Sequence, residues 1–247
     1  MPLPPDLPLD ILIRKLERVV PLSGEDRRAV LDLPVSVRTL PGNQDLVREA
    51  DEPSQACLVL DGWLCGHKLI EGGRRQIISF HLAGDIPDLQ TLRLGIADFS
   101  LTTLTAAKVA FIPHRSLHIL TSASAALAVA LWHQTLVDAV VFREWMAGLG
   151  RRPAPERLAH LFCELYTKQR AIGLADEGGC PLPITQTDLA DALGMTSVHI
   201  NRSLRELRGN GFLTLKNRRL DIRDWSGLAS FADFDPTYLH LDTTEPD

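Results

Sequence analysis

The sequence predicts an α+β chain: an N-terminal antiparallel β-roll of jelly-roll type, a long helix, and a C-terminal winged helix-turn-helix. Three observations carry this expectation. Between Val35 and Pro113, short β-branched and leucine runs alternate with Gly-containing turns. Residues 123–150 run without Gly or Pro until Gly148. Residues 184–207, ITQTDLADALGMTSVHINRSLREL, read as two amphipathic helices joined at a glycine. The expected domains are 1–122 (N-terminal helices and roll), 123–150 (long helix), 151–232 (winged helix-turn-helix) and 233–247 (an acidic tail, expected to fray).

Taken in order, the Pro-rich opening MPLPPDLPLD has no basic n-region or long apolar core, so no signal peptide is expected. Residues 9–20 form a short amphipathic helix, and Ser23-Gly24-Glu25-Asp26 caps another through about Leu31. The strand candidates are 56–60, 63–70, 76–81, 101–105 and 108–112. Asp61-Gly62, Glu71-Gly72-Gly73 and Ala83-Gly84-Asp85 supply the clearest turns between them. A short helix covers 115–120.

The helix over 123–150 would be about 42 Å long. Its apolar residues Leu127, Leu131, Leu136, Val137, Val140, Val141, Trp145 and Leu149 lie on more than one face, as expected for a helix buried on two sides. One side suits the roll and the other a second copy, with Leu127, Leu131, Val137, Val141 and Trp145 as the expected dimer residues. Trp63, Trp132 and Trp145 are expected in the core. The most apolar stretch, 123–132, ends at His133 and Gln134, so no membrane span is expected. Arg151-Arg152-Pro153 is the hinge candidate, because proline ends one helix and opens the next. A helix over 155–172, a loop at Gly178-Gly179-Cys180-Pro181 and a last helix over 224–231 complete the chain.

Net charge is −5, which argues against indiscriminate binding to nucleic acid, but its distribution is uneven. Residues 195–223 carry 7 Lys/Arg against 2 Asp/Glu, which concentrates cations where phosphates would need neutralising. Cys57, Cys65, Cys163 and Cys180 form no CxxC pair and suit a reducing, cytoplasmic compartment. Cys57 and Cys65 straddle the Asp61-Gly62 turn, a spacing that would bring them across a hairpin, yet two buried small residues is the better reading.

The motif itself is built from local signals. Thr185 and Asp188 form a Thr-x-x-Asp capping box, and Leu189 and Leu193 share a face beside Ala190. Gly194 suits a left-handed helix end, and Thr196 caps a second helix buried through Ile200, Leu204 and Leu207. That helix presents Ser197, Val198, His199, Asn201, Arg202 and Arg205 outward, as base or phosphate contacts. Capped helix pairs are common, and the sequel decides the reading. In GFLTLKNRRLDIR, apolar runs bracket Lys216-Asn217-Arg218-Arg219, a wing with a basic tip whose Lys216, Arg218 and Arg219 are expected phosphate contacts.

Over about residues 35–225 this order of parts resembles the Crp/Fnr superfamily of bacterial transcription regulators. The resemblance rests on Ile184-Thr185-Gln186, Asp188-Leu189-Ala190, Gly194, Ile200, Arg202-Ser203-Leu204 and Leu207, with Gly62 and Gly84-Asp85 in the roll. It implies a sensor role for the roll, a dimerisation role for the long helix, and a homodimer on a two-fold symmetric operator. Thr185 and Gln186 join the expected DNA contacts, with RNA polymerase as a further partner if the chain activates. Arg202 matches the family's guanine-reading arginine. Where well-known members place a cytosine-reading Glu, this chain has Val198, which can pack on a thymine methyl.

The roll departs too. Cyclic-AMP-binding members carry Gly-Glu-Leu followed about ten residues later by an Arg for the phosphate. Here Gly84-Asp85-Ile86 stands in the first motif and residues 95–101 contain no Arg, with only Arg74 or Arg93 as substitutes in an effector pocket. Cyclic AMP is therefore not expected. No cysteine precedes Cys57, so an N-terminal iron–sulfur cluster is not expected either. No cofactor is predicted, and haem at His67, His81, His114 or His118 stays open. Two other classes fit the sequence less well. A small-molecule-binding module acting on a protein partner without DNA conflicts with the basic wing and Arg202. A jelly-roll enzyme lacks a metal triad or a nucleophile–base pair.

Overall fold

The computed structural model describes residues 8–241. Two compact units emerge within that range, 8–68 with 79–138, and 69–78 with 139–241. The boundary falls inside the long helix, which the sequence marks as a segment of its own over 123–150.

The first unit opens with α1 (Asp10–Leu16) and α2 (Gly24–Leu31), both shorter than or equal to their predicted spans. Ser23 and Asp26 close a reciprocal capping box on α2, as the local sequence requires. The roll consists of two antiparallel sheets. One has the order β1 (Ser36–Leu40), β7 (Ala107–Pro113), β3 (Gln55–Asp61); the other has the order β2 (Asp45–Val47), β6 (Ser100–Thr103), β4 (Leu64–Ile70), β5 (Arg74–His81). β1 and β2 were not separately predicted: the pattern of β1 is exposed at four of five positions and β2 has three residues, so neither alternates cleanly. Cys57 pairs with Phe111 in one sheet and Cys65 with Thr102 in the other, so the two cysteines are not cross-strand neighbours. Both are free and buried, and burial pushes the Cys57 thiol up, with Asp88 adding to the effect.

Gly62 shows why a glycine follows β3. Its φ is +88°, and a Cβ there would stand 2.5 Å from the Ala106 carbonyl oxygen. A short helix α3 (Thr91–Leu94) precedes β6, and α4 (His114–Ala123) follows β7. Extended backbone at Ser124 then separates α4 from α5 (Ala125–Arg151).

Leu127, Ala130 and Leu131 of α5 join Leu12, Leu16, Leu58, Ile86, Ile112 and Leu117 in one core. This corrects the expected dimer face, because Leu127 and Leu131 are 0% and 4% exposed and Val141 is also buried. Val137 and Trp145 are half-buried. The residues left outward are Val129, Trp132, Leu136, Phe142, Met146 and Leu149, and Trp132, expected in the core, is 64% exposed. A helix apolar nearly all round carries two stripes, and periodicity alone does not say which one the roll covers. An 18-residue window of α5 averages a hydropathy of 1.6, enough by length and composition to cross a bilayer, contrary to the sequence expectation. Its first half is instead inserted in the roll's core.

In the second unit α6 (Ala154–Ala171) follows Pro153, as the hinge residues predict. Gly179–Pro181, expected as loop, is a strand, β8. It gains that structure from a partner 40 residues later, since Cys180 pairs with Leu220. The helices α7 (Gln186–Leu193) and α8 (Ser197–Gly209), the strands β9 (Leu213–Lys216) and β10 (Arg219–Ile222), and α9 (Trp225–Phe231) follow. The sheet order is β8-β10-β9. Leu158, Phe162, Leu189, Leu204, Leu207, Leu213, Leu220 and Leu228, all at 1% exposure or less, form the buried interior. The chain past α9 does not simply fray, for Pro236–Leu239 forms a 3-10 turn with Leu239 buried. The rest of the acidic tail, 242–247, and the opening 1–7 lie outside the described residues.

Candidate nucleic-acid interface

The reading element forms as its local chemistry dictates. Thr185 Oγ1 accepts from the Asp188 amide at 3.1 Å, and Asp188 Oδ2 accepts from the Thr185 amide at 2.9 Å and its hydroxyl at 2.6 Å. Thr185 is thus committed to capping α7, which leaves the exposed Gln186 beside it as the freer contact. Gly194 ends α7 in the left-handed conformation, with φ 60° and ψ 40°. Thr196 Oγ1 accepts from the His199 amide at 3.3 Å and starts α8.

Helix α8 buries Ile200, Ser203, Leu204 and Leu207. At about 100° per residue, Val198, Arg202 and Arg205 lie opposite that face, with Ser197 and Asn201 at one edge and His199 at the other. All six are exposed. Among the described residues, no side-chain hydrogen bond or ion pair occupies Arg202, Arg205 or His199, so their donors face outward. Asn201 turns its amide back to the Ser197 carbonyl at 3.0 Å.

The wing is a two-residue hairpin. Lys216 and Arg219 are paired across it, and Asn217 and Arg218 between them both adopt positive φ, 53° and 57°. Lys216 and Arg218 are exposed at the tip. Arg219, predicted as a phosphate contact, is engaged internally: Nε donates to Asp221 Oδ1 at 2.8 Å and Nη2 to Asp176 Oδ2 at 2.6 Å. Its hydrogen bonds to Asp176 and Asp221 raise the Arg219 guanidinium further and bind the segment before β8 to β10. Arg219 therefore organises the wing instead of reaching past it.

Two connections escaped the sequence. Arg208, in the last turn of α8, donates to the Leu215 carbonyl at 3.1 Å and ties reading helix to wing. Arg75, in the 69–78 segment of this unit, donates to Asp188 Oδ1 at 2.5 Å and to Asp191 Oδ2 at 2.8 Å, while Gln76 Nε2 donates to the Ala192 carbonyl at 3.1 Å. Asp188 thus serves cap and clamp with different oxygens. No local spacing signals a pair 113 residues apart.

The effector-pocket residues are not arranged as predicted. Asp85 pairs with Lys15 of α1, accepts from the Leu82 amide at 2.8 Å, and lies 3.9 Å from His81 Nδ1. Burial raises its carboxyl, but Lys15 and His81 outweigh that and hold it below its ordinary value. Gly84 packs under Ile11 and Lys15, and Ile86 is wholly buried in the core. Arg74 and Arg93 are exposed, and neither is among the groups acting on Asp85. The histidines are engaged locally: His67 is 3.5 Å from Thr102 Oγ1, His81 2.7 Å from Ser79 Oγ, and His114 3.4 Å from Thr91 Oγ1. His118 sits half-buried on α4.

A capped helix pair that turns unpaired cations outward beside a basic wing defines a DNA-binding protein of the winged helix-turn-helix class. Residues 156–231 match the Crp-like helix-turn-helix domain. A probable transcriptional activator of Rhizobium leguminosarum bv. viciae is 27% identical over 185 residues, spanning 74% of this chain and 75% of that protein. The transcriptional activator protein FnrL of Cereibacter sphaeroides is 25% identical over 188 residues, spanning 74% of each chain. The structure of FixK2 from Bradyrhizobium japonicum overlays with a TM-score of 0.71 at 25% identity, covering 81% of this chain and 98% of that one. The chain carries a Crp-like helix-turn-helix domain, is similar to Crp/Fnr regulators along most of its length, and is a DNA-binding transcription regulator.

Proposed function

We propose that this regulator acts in the cytoplasm as a homodimer on a two-fold symmetric operator, without cyclic AMP and without a resident cofactor. The observation that carries the reading is the row Val198, Arg202, Arg205 on the outer face of α8, flanked by Lys216 and Arg218 of the wing. Arg202 keeps a bidentate fork for guanine, and the exposed Val198 suits a thymine methyl. Lys216 and Arg218 supply sequence-independent phosphate contacts.

Dimerisation is supported by the outward stripe of α5. Val129, Trp132, Leu136 and Met146 recur at steps of three, four and ten, the 3.5-residue period of a two-helix seam. The reading without cyclic AMP is supported by Asp85, whose carboxylate is engaged by Lys15. The relatives' names as activators support an encounter with RNA polymerase.

Selection from a pool of random duplexes tests the proposal. The expected product is a two-fold symmetric site whose half-sites lie about 34 Å apart, one DNA turn. An enriched asymmetric site, or none, overturns it. Within the site, Arg202→Ala is expected to cost about 1–3 kcal/mol, confined to one base position of each half. A uniform loss over all sequences removes Arg202 from base reading.

A further inference from the structure

Glu164 of α6 is wholly enclosed. Its Oε2 accepts from the Trp145 indole N–H of α5 at 2.9 Å and from the Tyr238 hydroxyl at 2.8 Å, while its Oε1 accepts from Lys168 at 2.7 Å. One turn back on α6, His160 stacks on the Tyr238 ring, with centroids 5.8 Å apart at 18°, and meets Phe234 edge-on at 5.2 Å. The other side of His160 faces Glu144 of α5 at 3.4 Å, and Glu144 holds Arg152 at 2.5 Å. Phe234 and Tyr238 lie beyond the residues that match the family domain, which end at 231.

A buried carboxylate is tolerated only while donors surround it. Burial raises Glu164, but Lys168 and the hydrogen bonds from Lys168, Trp145 and Tyr238 outweigh it, and the group stays charged. These donors come from three elements: α5, α6 and the terminal 3-10 turn. Pro153 interrupts the backbone between α5 and α6, so no helical ladder fixes the angle at which one leaves the other. A hollow of about 20 Å³ lined by Trp145, Arg152 and His160 has room for about one water, so the junction is packed rather than ligand-filled.

We infer that Glu164 is a positioning residue for DNA reading, and that the segment Phe234–Tyr238 is a latch fixing the angle at which α6, and with it α8, leaves the end of α5. Without the phenol and indole donors the carboxylate would seek water, and the junction at Arg152-Pro153 would open to a range of angles. A fixed angle matters to a two-fold reader because it sets the separation of its two reading helices. The inference rests on the dimeric reading proposed above.

Tyr238→Phe removes one hydroxyl and leaves the ring packing. Three duplexes serve as probes: the selected site, the same site with one base pair inserted between its halves, and a single half-site. Wild-type protein is expected to bind the inserted site about tenfold more weakly than the selected one. In Tyr238→Phe that ratio falls to about twofold or less, with half-site affinity and base preference unchanged, and Trp145→Phe behaves alike. A retained wild-type ratio, or an equal loss on all three duplexes, overturns the latch. A second readout needs no DNA. At a temperature where both proteins are fully folded, trypsin cleavage after Arg151 should be several-fold faster in Tyr238→Phe than in wild type, and an unchanged cleavage rate also overturns the latch. Should wild type ignore the insertion, the dimeric reading fails, while the cleavage rate still decides the latch.

Discussion

The reading face and the roll interior both depend on polar side chains and use them in opposite ways. On α8 and the wing, Arg202, Arg205, Lys216 and Arg218 project into solvent. In the roll, His67, His81, Thr91, Thr102 and Thr103 are buried: Thr91 donates to the Asp88 carbonyl, Thr102 to Asp45 and Thr103 to the Pro41 carbonyl, while His81 meets Ser79 and His67 meets Thr102. Asp88 is the exception there: Oδ1 accepts from the Cys57 amide at 2.8 Å, but Oδ2 has no partner among the described residues. The difference teaches where function resides in this chain. Donors left open outward await a partner, whereas donors closed inward hold a shape.

The largest test of that contrast is Gly62→Ala. A Cβ at φ +88° and 2.5 Å from a carbonyl should cost the roll about 4 kcal/mol. Hydrogen exchange is expected to show lost protection in β3, β4 and β7 while peptides of α6–α8 keep theirs. Equal loss in both regions would break the comparison by making them one cooperative unit.

Asp88→Asn sharpens it from the inside. Burial lifts the Asp88 carboxyl from the ordinary 3.8 to about 7, so the folded roll holds a proton that the unfolded chain releases earlier. The stability from that proton is full below about pH 4 and lost as pH rises through 7. An amide keeps the neutral form at every pH, so Asp88→Asn should stabilise by about 2–4 kcal/mol at pH 8 and hardly at all at pH 4. A benefit independent of pH would mean that the proton is not the cause. Thermal unfolding at the two pH values measures it.

The smallest effect separates two residues of the wing. Lys216→Ala should reduce the slope of log affinity against log salt by about one, and Arg219→Ala should leave it unchanged. Equal slopes for the two variants would return Arg219 to the phosphate contacts and blur the line between open and closed donors.

The reading motif was legible because its determinants are local. Capping boxes act over three residues, glycine ends a helix by its own backbone, and the buried face of α8 repeats with the helical period. The roll's outline was legible from its turns. What stayed hidden depends on distant partners: Lys15 on Asp85, Arg75 on Asp188, Trp145 and Tyr238 on Glu164, and the strand at Cys180. The outward apolar stripe was misplaced for a related reason. Spacing found two apolar sides of α5, but only the roll's packing assigns Leu127 to the core and Trp132 to the outside. The wing showed the same limit, since nothing near Arg219 in the chain marks Asp176 as its partner.

The wing tip has a consequence for anyone redesigning this molecule. A turn of this shape is easiest to build with glycine in its second position, yet the chain stations Arg218 there at φ 57°. An L side chain in that conformation sacrifices about 1 kcal/mol. A procedure that ranks substitutions by folding alone would choose glycine here first and would remove a cation from the edge proposed to meet DNA. The least relaxed backbone of the wing is therefore the place where a more stable protein and a better regulator part company.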